Sequence, residues 1–348
     1  GIADPSHIVT NIPVLDMCDP SEPTTEDLTD LATRAEDAAR AIEGVTNSEG
    51  GEAGWSRANI AIAATNGLAQ SYSMSSQSFS ACVIAGEDTG MERDYDYDSA
   101  VYGSDLKSPE NIGRSAGERA VKRLNARKVK SQQVPIIYDR RVSSGMVRHL
   151  AGAINGASIT RGTSFLKDSM GQSVFDSEIN IIDDPHRMRG LRSKPFDGEG
   201  IANARRAFVE NGKLATWVLD LASSRQLGLE STGHASRGTS SPPSPGSTNV
   251  YMENGSNSAA ELMSDIKSGL YITEMIGMGV NGVTGDYSRG ATGFWIENGE
   301  PAYPVTELTV AGNLKDMFLH LTPADDLEFK FGIDAPTIRI DGMTVAGL

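Results

Sequence analysis

The chain has 348 residues, 39% of them apolar and 6% aromatic, and a formal net charge of −15 from 31 Lys plus Arg against 46 Asp plus Glu. The length suggests about two domains, and the carboxylate excess would repel a phosphate backbone, which argues against nucleic-acid binding. No run approaches the ~20 apolar residues of a membrane helix, and no signal peptide is visible. Cys18 and Cys82 lie far apart and in no Cys-x-x-Cys arrangement, so neither a disulfide framework nor a zinc ribbon follows. Sparse cysteine suits a reducing compartment, and a cytoplasmic location is the expectation.

Residues 1–22, with Pro5, Pro13 and Pro20, read as an extended lead-in. A helix follows. Thr24 or Thr25 can cap it, Glu26 and Asp27 suit its positive end, and Leu28, Leu31, Ala32, Ala35, Ala39 and Ile42 recur at helical spacing. The acidic, glycine-containing stretch 47–52 is read as the break that ends this helix. Two strands then pair around Asn66-Gly67, and alternation continues from Ser71 to Ile84. Cys82 lies within that alternation and reads as a small packed residue rather than a nucleophile. Ser108-Pro-Glu110 opens a second helix with Ile112, Ala116, Ala120 and Leu124 as its apolar stripe. These elements form a first unit, residues 23–131. Cations crowd its end: Arg114, Arg119, Lys122, Arg123, Arg127, Lys128 and Lys130. They read as a solvated helix face and linker, with a docking site for an acidic partner as the alternative.

The polar stretch 128–133 marks the boundary to a second unit, residues 132–348. Val134-Pro-Ile-Ile-Tyr138 reads as a buried strand. A helix over 141–156 follows, with Val142, Met146, His149, Leu150, Ala153 and Ile154 on one face. Hairpin turns are expected at Asn211-Gly212, Asn298-Gly299 and Asp341-Gly342, and Ser258-Ala-Ala-Glu261 is a capping box. Residues 236–249, rich in Ser, Pro and Gly, cannot build a core. They read as a mobile surface loop or as the lining of a peptide channel. Helices and hairpins interleave without a strand–helix–strand rhythm. The fold class is therefore α+β: antiparallel sheets with many hairpins, a few packed helices and two subdomains.

The usual catalytic motifs are missing. None of the five histidines is followed by glutamate, so no His-Glu-x-x-His zinc helix exists. No Gly-x-Ser-x-Gly elbow occurs, and Ser288 has no base beside it. Gly277-Met-Gly-Val-Asn-Gly282 has dinucleotide-loop spacing, but Val283-Thr-Gly-Asp-Tyr287 does not start a helix. The pairs Asp183-Asp184 and Asp325-Asp326 sit beside prolines and suit loops and caps. Asp286-Tyr-Ser-Arg289 has two readings. Arg289 could pair with Asp286 or a nearby carboxylate in a tight turn, or it could line a cleft and fix a peptide carboxylate.

The stretch Gly282-Val-Thr-Gly-Asp-Tyr-Ser-Arg-Gly-Ala-Thr-Gly-Phe-Trp-Ile-Glu-Asn-Gly299, continuing to Phe318, closely resembles the C-terminal signature of the PmbA (TldE) branch of the TldD/PmbA family. The resemblance extends through Arg161-Gly-Thr-Ser-Phe-Leu-Lys-Asp168, Gly190-Leu-Arg-Ser-Lys-Pro-Phe-Asp-Gly-Glu-Gly200 and Met91-Glu-Arg-Asp-Tyr-Asp96, and covers nearly the whole chain. Set against the family, a preceding N-terminal segment is expected to be absent from this sequence. The resemblance implies a role in peptide maturation; members were once called modulators of DNA gyrase. It also implies that the zinc helix of the TldD sister branch, His-Glu-x-x-x-His, falls on helix 141–156. There His149 would stand at the first ligand position, Leu150 in place of the base and Ile154 in place of the second ligand. The sister's C-terminal cysteine ligand has no counterpart, because no cysteine follows Cys82. The implied role is a non-catalytic subunit, inactive alone and without a cofactor of its own, paired with a TldD-type zinc subunit. Asp286, Tyr287, Arg289, Arg161 and Ser164 are candidate contacts to peptide or partner. The alternative is a homodimeric peptide-binding or regulatory protein; a free-standing hydrolase is a third possibility.

Overall fold

The computed structural model describes residues 1–347. The first part of the chain forms α1 (Thr25–Arg40), β1 (Val45–Ala63), β2 (Ala69–Ala85), β3 (Glu92–Ala100) and α2 (Pro109–Lys122). Thr24 and Asp27 form a reciprocal capping box at the start of α1, and Ser108 caps α2 ahead of Pro109. The strands make an antiparallel sheet in the order β1-β2-β3, and both helices pack on it through Ala35, Ala39, Phe79, Val83, Ile112, Ala116 and Ala120. Alternate residues of β2 are buried, the period-2 pattern of a half-covered sheet.

Residues 47–52 are not a break but part of β1. Their backbone pairs with β2, and register shifts at Val45/Asn47 and Ser48/Gly50 absorb the irregularity. Gly51 is there because α1 comes so close: a Cβ on it would lie 2.2 Å from the Ala32 carbonyl oxygen.

The second part contains β4 (Gln132–Tyr138), α3 (Arg140–Ala153), α4 (Gly156–Thr160), β5 (Ile181–Asp183), β6 (Arg206–Glu210), β7 (Lys213–Leu214), α5 (Leu221–Leu227), β8 (Ala235–Ser236) and β9 (Ser244–Pro245). It continues through β10 (Val250–Met252), α6 (Ala259–Met263), β11 (Ser268–Ile276), β12 (Asp286–Glu297), β13 (Glu300–Asn313), α7 (Leu314–Leu319), β14 (Leu321–Pro323), β15 (Ile333–Asp334) and β16 (Ile338–Ala346). One sheet runs β13-β12-β11-β4-β16-β14, and an added β13–β16 pairing closes it on itself. A second runs β15-β10-β5-β6-β7. Pairings are antiparallel except β4–β11 and β10–β15. The architecture is α+β with mainly antiparallel sheets. Among the described residues no helix is long and apolar enough to cross a membrane.

Asn211-Gly212 and Asn298-Gly299 turn hairpins, each with positive φ at both residues. Asp341-Gly342 does not. It is a bulge inside β16, with Gly342 at φ 82° and the register against β4 shifting between Ile340 and Met343. The expected single helix 141–156 stops at Ala153, because Asn155 takes extended backbone to cap α4. Residues 236–249 are pinned at both ends. β8 pairs with β9, and the buried Asp183 carboxylate accepts from the Thr248 amide at 2.6 Å and hydroxyl at 2.7 Å.

The basic run at the end of α2 is not a solvated face throughout. Arg123, largely buried at the seam between the two parts, meets Glu274 at 2.7 Å, Glu92 at 3.3 Å and Asp94 at 3.4 Å. Arg119 meets Asp96 at 3.3 Å, and Lys128 meets Glu307 at 2.6 Å. Arg141 of α3 reaches back across the seam to Asp94 at 2.7 Å.

Candidate functional site

Helix α3 starts on the side-chain cap of Asp139, whose other carboxylate oxygen accepts from the Tyr271 hydroxyl at 2.5 Å. Its apolar stripe faces the core, and Leu150 and Ile154 are fully buried. His149 immediately precedes Leu150 on the same helix. Its ring meets the Tyr287 ring edge-on, with centroids 5.8 Å apart. The imidazole Nε2 and the Tyr287 hydroxyl are both buried, and among the described residues neither makes a hydrogen bond of good geometry, although Tyr138 and Arg289 stand beside the Tyr287 hydroxyl. Buried polar atoms rarely stay unpaired, so this pair marks a site that the packing alone does not satisfy.

Tyr287 and Arg289 project from one face of β12, while Asp286 and Ser288 project from the other. The expected Asp286–Arg289 pairing is therefore geometrically opposed and does not form. Arg289 instead donates from Nε to the Gly277 carbonyl at 2.8 Å. Its positive charge adds to the effect of burial on His149, whose pKa is pushed down to about 4, mainly by burial. Tyr138, at the end of β4, is fully buried beside this group and directs its hydroxyl to the Met343 sulfur at 3.5 Å.

Asp286 lies outside this cluster. Its carboxylate accepts from the Thr284 hydroxyl at 2.6 Å and from Asn313 Nδ2 at 3.2 Å, and both bonds hold its pKa low. That arrangement staples the loop before β12 to the end of β13. Ser164 is buried, donates to the Ala153 carbonyl at 2.6 Å and accepts from the Leu166 amide at 3.0 Å, so its hydroxyl ties the segment after α4 to the end of α3. Arg161 is exposed at the C-terminal cap of α4. The structure thus brings Tyr287, Arg289 and His149 together. It places Asp286 and Ser164 in loop-fastening roles near them, with the Phe165 amide donating to the Gly282 carbonyl at 2.9 Å.

Sequence reasoning missed Tyr138 and the Gly277 carbonyl. A tyrosine closing an otherwise apolar strand was the available signal for the first, since a buried hydroxyl needs a partner. Nothing local announced the second.

The donor set does not fit a catalytic zinc. Of positions 149, 150 and 154 only 149 carries a ligand-type side chain, and among the described residues no group of three or more His, Cys, Asp or Glu is placed to hold a metal ion. Cys82 is far from a nucleophile: burial and its hydrogen bond to Glu49 push the thiol up to about 11.

The depressed His149 pKa carries a stability consequence. The unfolded chain takes up a proton near the ordinary value of 6.5, whereas the native ring does so only near 4. Stability is therefore full above pH 6.5 and falls as pH drops toward 4, by about 2 kcal/mol at pH 5. Urea unfolding of the wild type and His149→Phe at pH 7 and pH 5 checks this. The variant should lose less stability on acidification; an identical loss would show that His149 is not the group responsible.

The comparisons with known proteins agree with this architecture. Residues 18–124 match the model of the PmbA/TldA metallopeptidase central domain and residues 131–347 that of the C-terminal domain. The chain is 39% identical over 349 residues to the metalloprotease PmbA of Escherichia coli O157:H7, covering 100% of this chain and 76% of the relative. It is 37% identical over 350 residues to a PmbA homolog of Haemophilus influenzae, with coverage of 100% and 76%. Among solved structures it superposes at a TM-score of 0.91 and 27% identity on a candidate modulator of DNA gyrase from Bacteroides thetaiotaomicron, covering 100% of this chain and 78% of that one. It also shares its fold with TldE from Thermococcus kodakarensis, at a TM-score of 0.81 and 21% identity, with coverage of 97% and 80%. Two successive family domains, similarity to PmbA proteins along the whole of this chain and the shared fold together establish that it belongs to the PmbA branch of the PmbA/TldD metallopeptidase family.

Proposed function

We propose that this chain is the non-catalytic subunit of a two-component cytoplasmic metallopeptidase that processes or degrades unfolded peptides. A TldD-type partner supplies the zinc and the general base. The observation that carries this reading is the pair Leu150 and Ile154: both are wholly buried and apolar at the positions where the resemblance puts the base and the second ligand. Restoring a metal there would need charged or coordinating groups inside a packed core, at a high desolvation cost. The chain's part is to enclose and hold an extended peptide. Strand β1 suits that role, since among the described residues it pairs only with β2, and it has no fully buried residue along its length. Its free edge can accept the backbone of an added strand.

Co-expression with a TldD-type chain, followed by sizing and assay on an unstructured peptide, tests the proposal. A stable mixed dimer whose activity is lost in chelator is the expected result, with neither chain active alone and no stoichiometric zinc on this one. A persistent self-dimer that ignores the partner would favour a homodimeric peptide-binding protein instead. One zinc per isolated, tag-free chain, or turnover by this chain alone, would overturn the non-catalytic assignment.

A further inference from the structure

We propose that His149, Tyr287 and Arg289 form a receptor for a carboxylate group of a bound peptide; the inference rests on the peptide-holding role above and gives that role a chemical specificity. Three observations converge. The Nε2 of His149 and the hydroxyl of Tyr287 are buried within one edge-on ring contact, and among the described residues neither makes a hydrogen bond of good geometry, the Tyr287 hydroxyl lying beside Tyr138 and Arg289. Both can donate: the phenol always, and a neutral imidazole when its proton sits on Nε2. The third group is a guanidinium on the same face of β12 as Tyr287. Its Nε is already committed to the Gly277 carbonyl, which fixes the plane of the fork, while its terminal nitrogens pair with no carboxylate among the described residues.

The site is therefore two buried donors beside an unneutralised, oriented cation, in a chain whose net charge is −15. Of the candidate acids in sequence, Asp286 points to the opposite face of the strand and is engaged by Thr284 and Asn313. A carboxylate matches the arrangement in charge and in its demand for donors. A guanidinium binds it through paired N–H groups, and the remaining lone pairs fall to the phenol and imidazole. An ammonium or a metal cation would meet the same field with the wrong sign. Gly277 beside the guanidinium has φ of 79°, and among the described residues no atom lies within 4 Å of where its Cβ would be, so the space beside this residue is open. Burial and Arg289 keep His149 neutral at ordinary pH, so its ring meets a ligand as a hydrogen-bonding group and Arg289 supplies the charge.

The carboxylate can come from a peptide C-terminus or from an Asp or Glu side chain, and the experiment separates the two. Three fluorescent peptides of one unstructured sequence are titrated onto the purified chain by anisotropy. The first lacks Asp and Glu and has a free C-terminus; the second is its C-terminal amide; the third is the amide with one internal Glu. At least one carboxylate-bearing peptide should bind about tenfold or more tightly than the neutral amide, as expected for a charge-assisted, partly desolvated contact. Preference for the first identifies a C-terminal receptor, and preference for the third a side-chain receptor. Arg289→Met should abolish the preference, Arg289→Lys should restore part of it, and Tyr287→Phe, which removes only the hydroxyl, should weaken it with the fold retained by circular dichroism. Equal binding of all three peptides, no binding of any, or a preference that survives Arg289→Met would overturn the inference. These outcomes are read on the chain alone. A chain that assembles an active mixed dimer yet shows no carboxylate preference would refute this receptor and leave the subunit role standing; the reverse pair of results would do the opposite.

Discussion

Replacing Gly113 with alanine is expected to destabilise the protein by about 2–3 kcal/mol, although the same change in an exposed helix would stabilise it by about 1 kcal/mol. Gly113 lies mid-helix in α2, where alanine has the better intrinsic propensity. The contact decides against it. A Cβ there would lie 2.0 Å from the Ala35 carbonyl oxygen of α1 and 3.0 Å from Ala38 Cβ. The nearest atom is backbone, so the helices must separate rather than a side chain rotate. Gly117, one turn on, makes a similar approach, at 2.7 Å from the Ala39 carbonyl oxygen. Gly145→Ala in α3 is the matched control, since no atom stands within 4 Å of its Cβ position. Urea midpoints should fall for Gly113→Ala and hold or rise for Gly145→Ala. If both variants rise, the close helix packing is wrong.

Asp94→Asn should cost about 3 kcal/mol, the scale of breaking a buried ion pair from one side. Asp94 is 3% exposed at its side chain and stands between Arg123 at 3.4 Å and Arg141 at 2.7 Å, each with a side chain 12% exposed. The substitution preserves shape and removes the charge. Two buried guanidiniums then share less compensation, with Glu92 and Glu274 left beside Arg123. Because Asp94 is on β3 and Arg141 on α3, the loss falls on the seam that joins the first sheet to the rest of the chain. Limited proteolysis should find the linker around 124–131 more readily cut in the variant. Arg57→Ala breaks an exposed pair with Glu22, the two side chains being 36% and 61% exposed, and should cost under ~1 kcal/mol. Equal effects of the two variants would mean that the seam charges are solvated.

Much of the fold was legible because its signals are local. Caps at Thr24, Ser108 and Ser258 satisfy amides within three residues, and Asn-Gly pairs at 211 and 298 take left-handed backbone that few other residues accept. Local rules failed where a distant partner outweighed them. Residues 47–52 look like a break until β2 supplies partners for their amides and α1 demands a glycine. Asp341-Gly342 looks like a hairpin turn until β4 runs past it on the other side of the bulge. Arg123 looks like a solvated cation until Glu274, 151 residues away, meets it.

The same division holds at the candidate site. The sequence by itself determined the family, the absence of a zinc-helix motif, and the apolar character of positions 150 and 154, because these depend only on which residues stand at which spacing. It also drew attention to Tyr287 and Arg289. Only the tertiary structure decided that Arg289 turns from Asp286 to the Gly277 carbonyl, that the Ser164 hydroxyl bonds the Ala153 carbonyl, and that the His149 and Tyr287 rings meet edge-on in the interior. The reason is physical. Side-chain direction on a strand alternates with period 2, and the partner of a buried polar atom is set by whichever distant element packs against it.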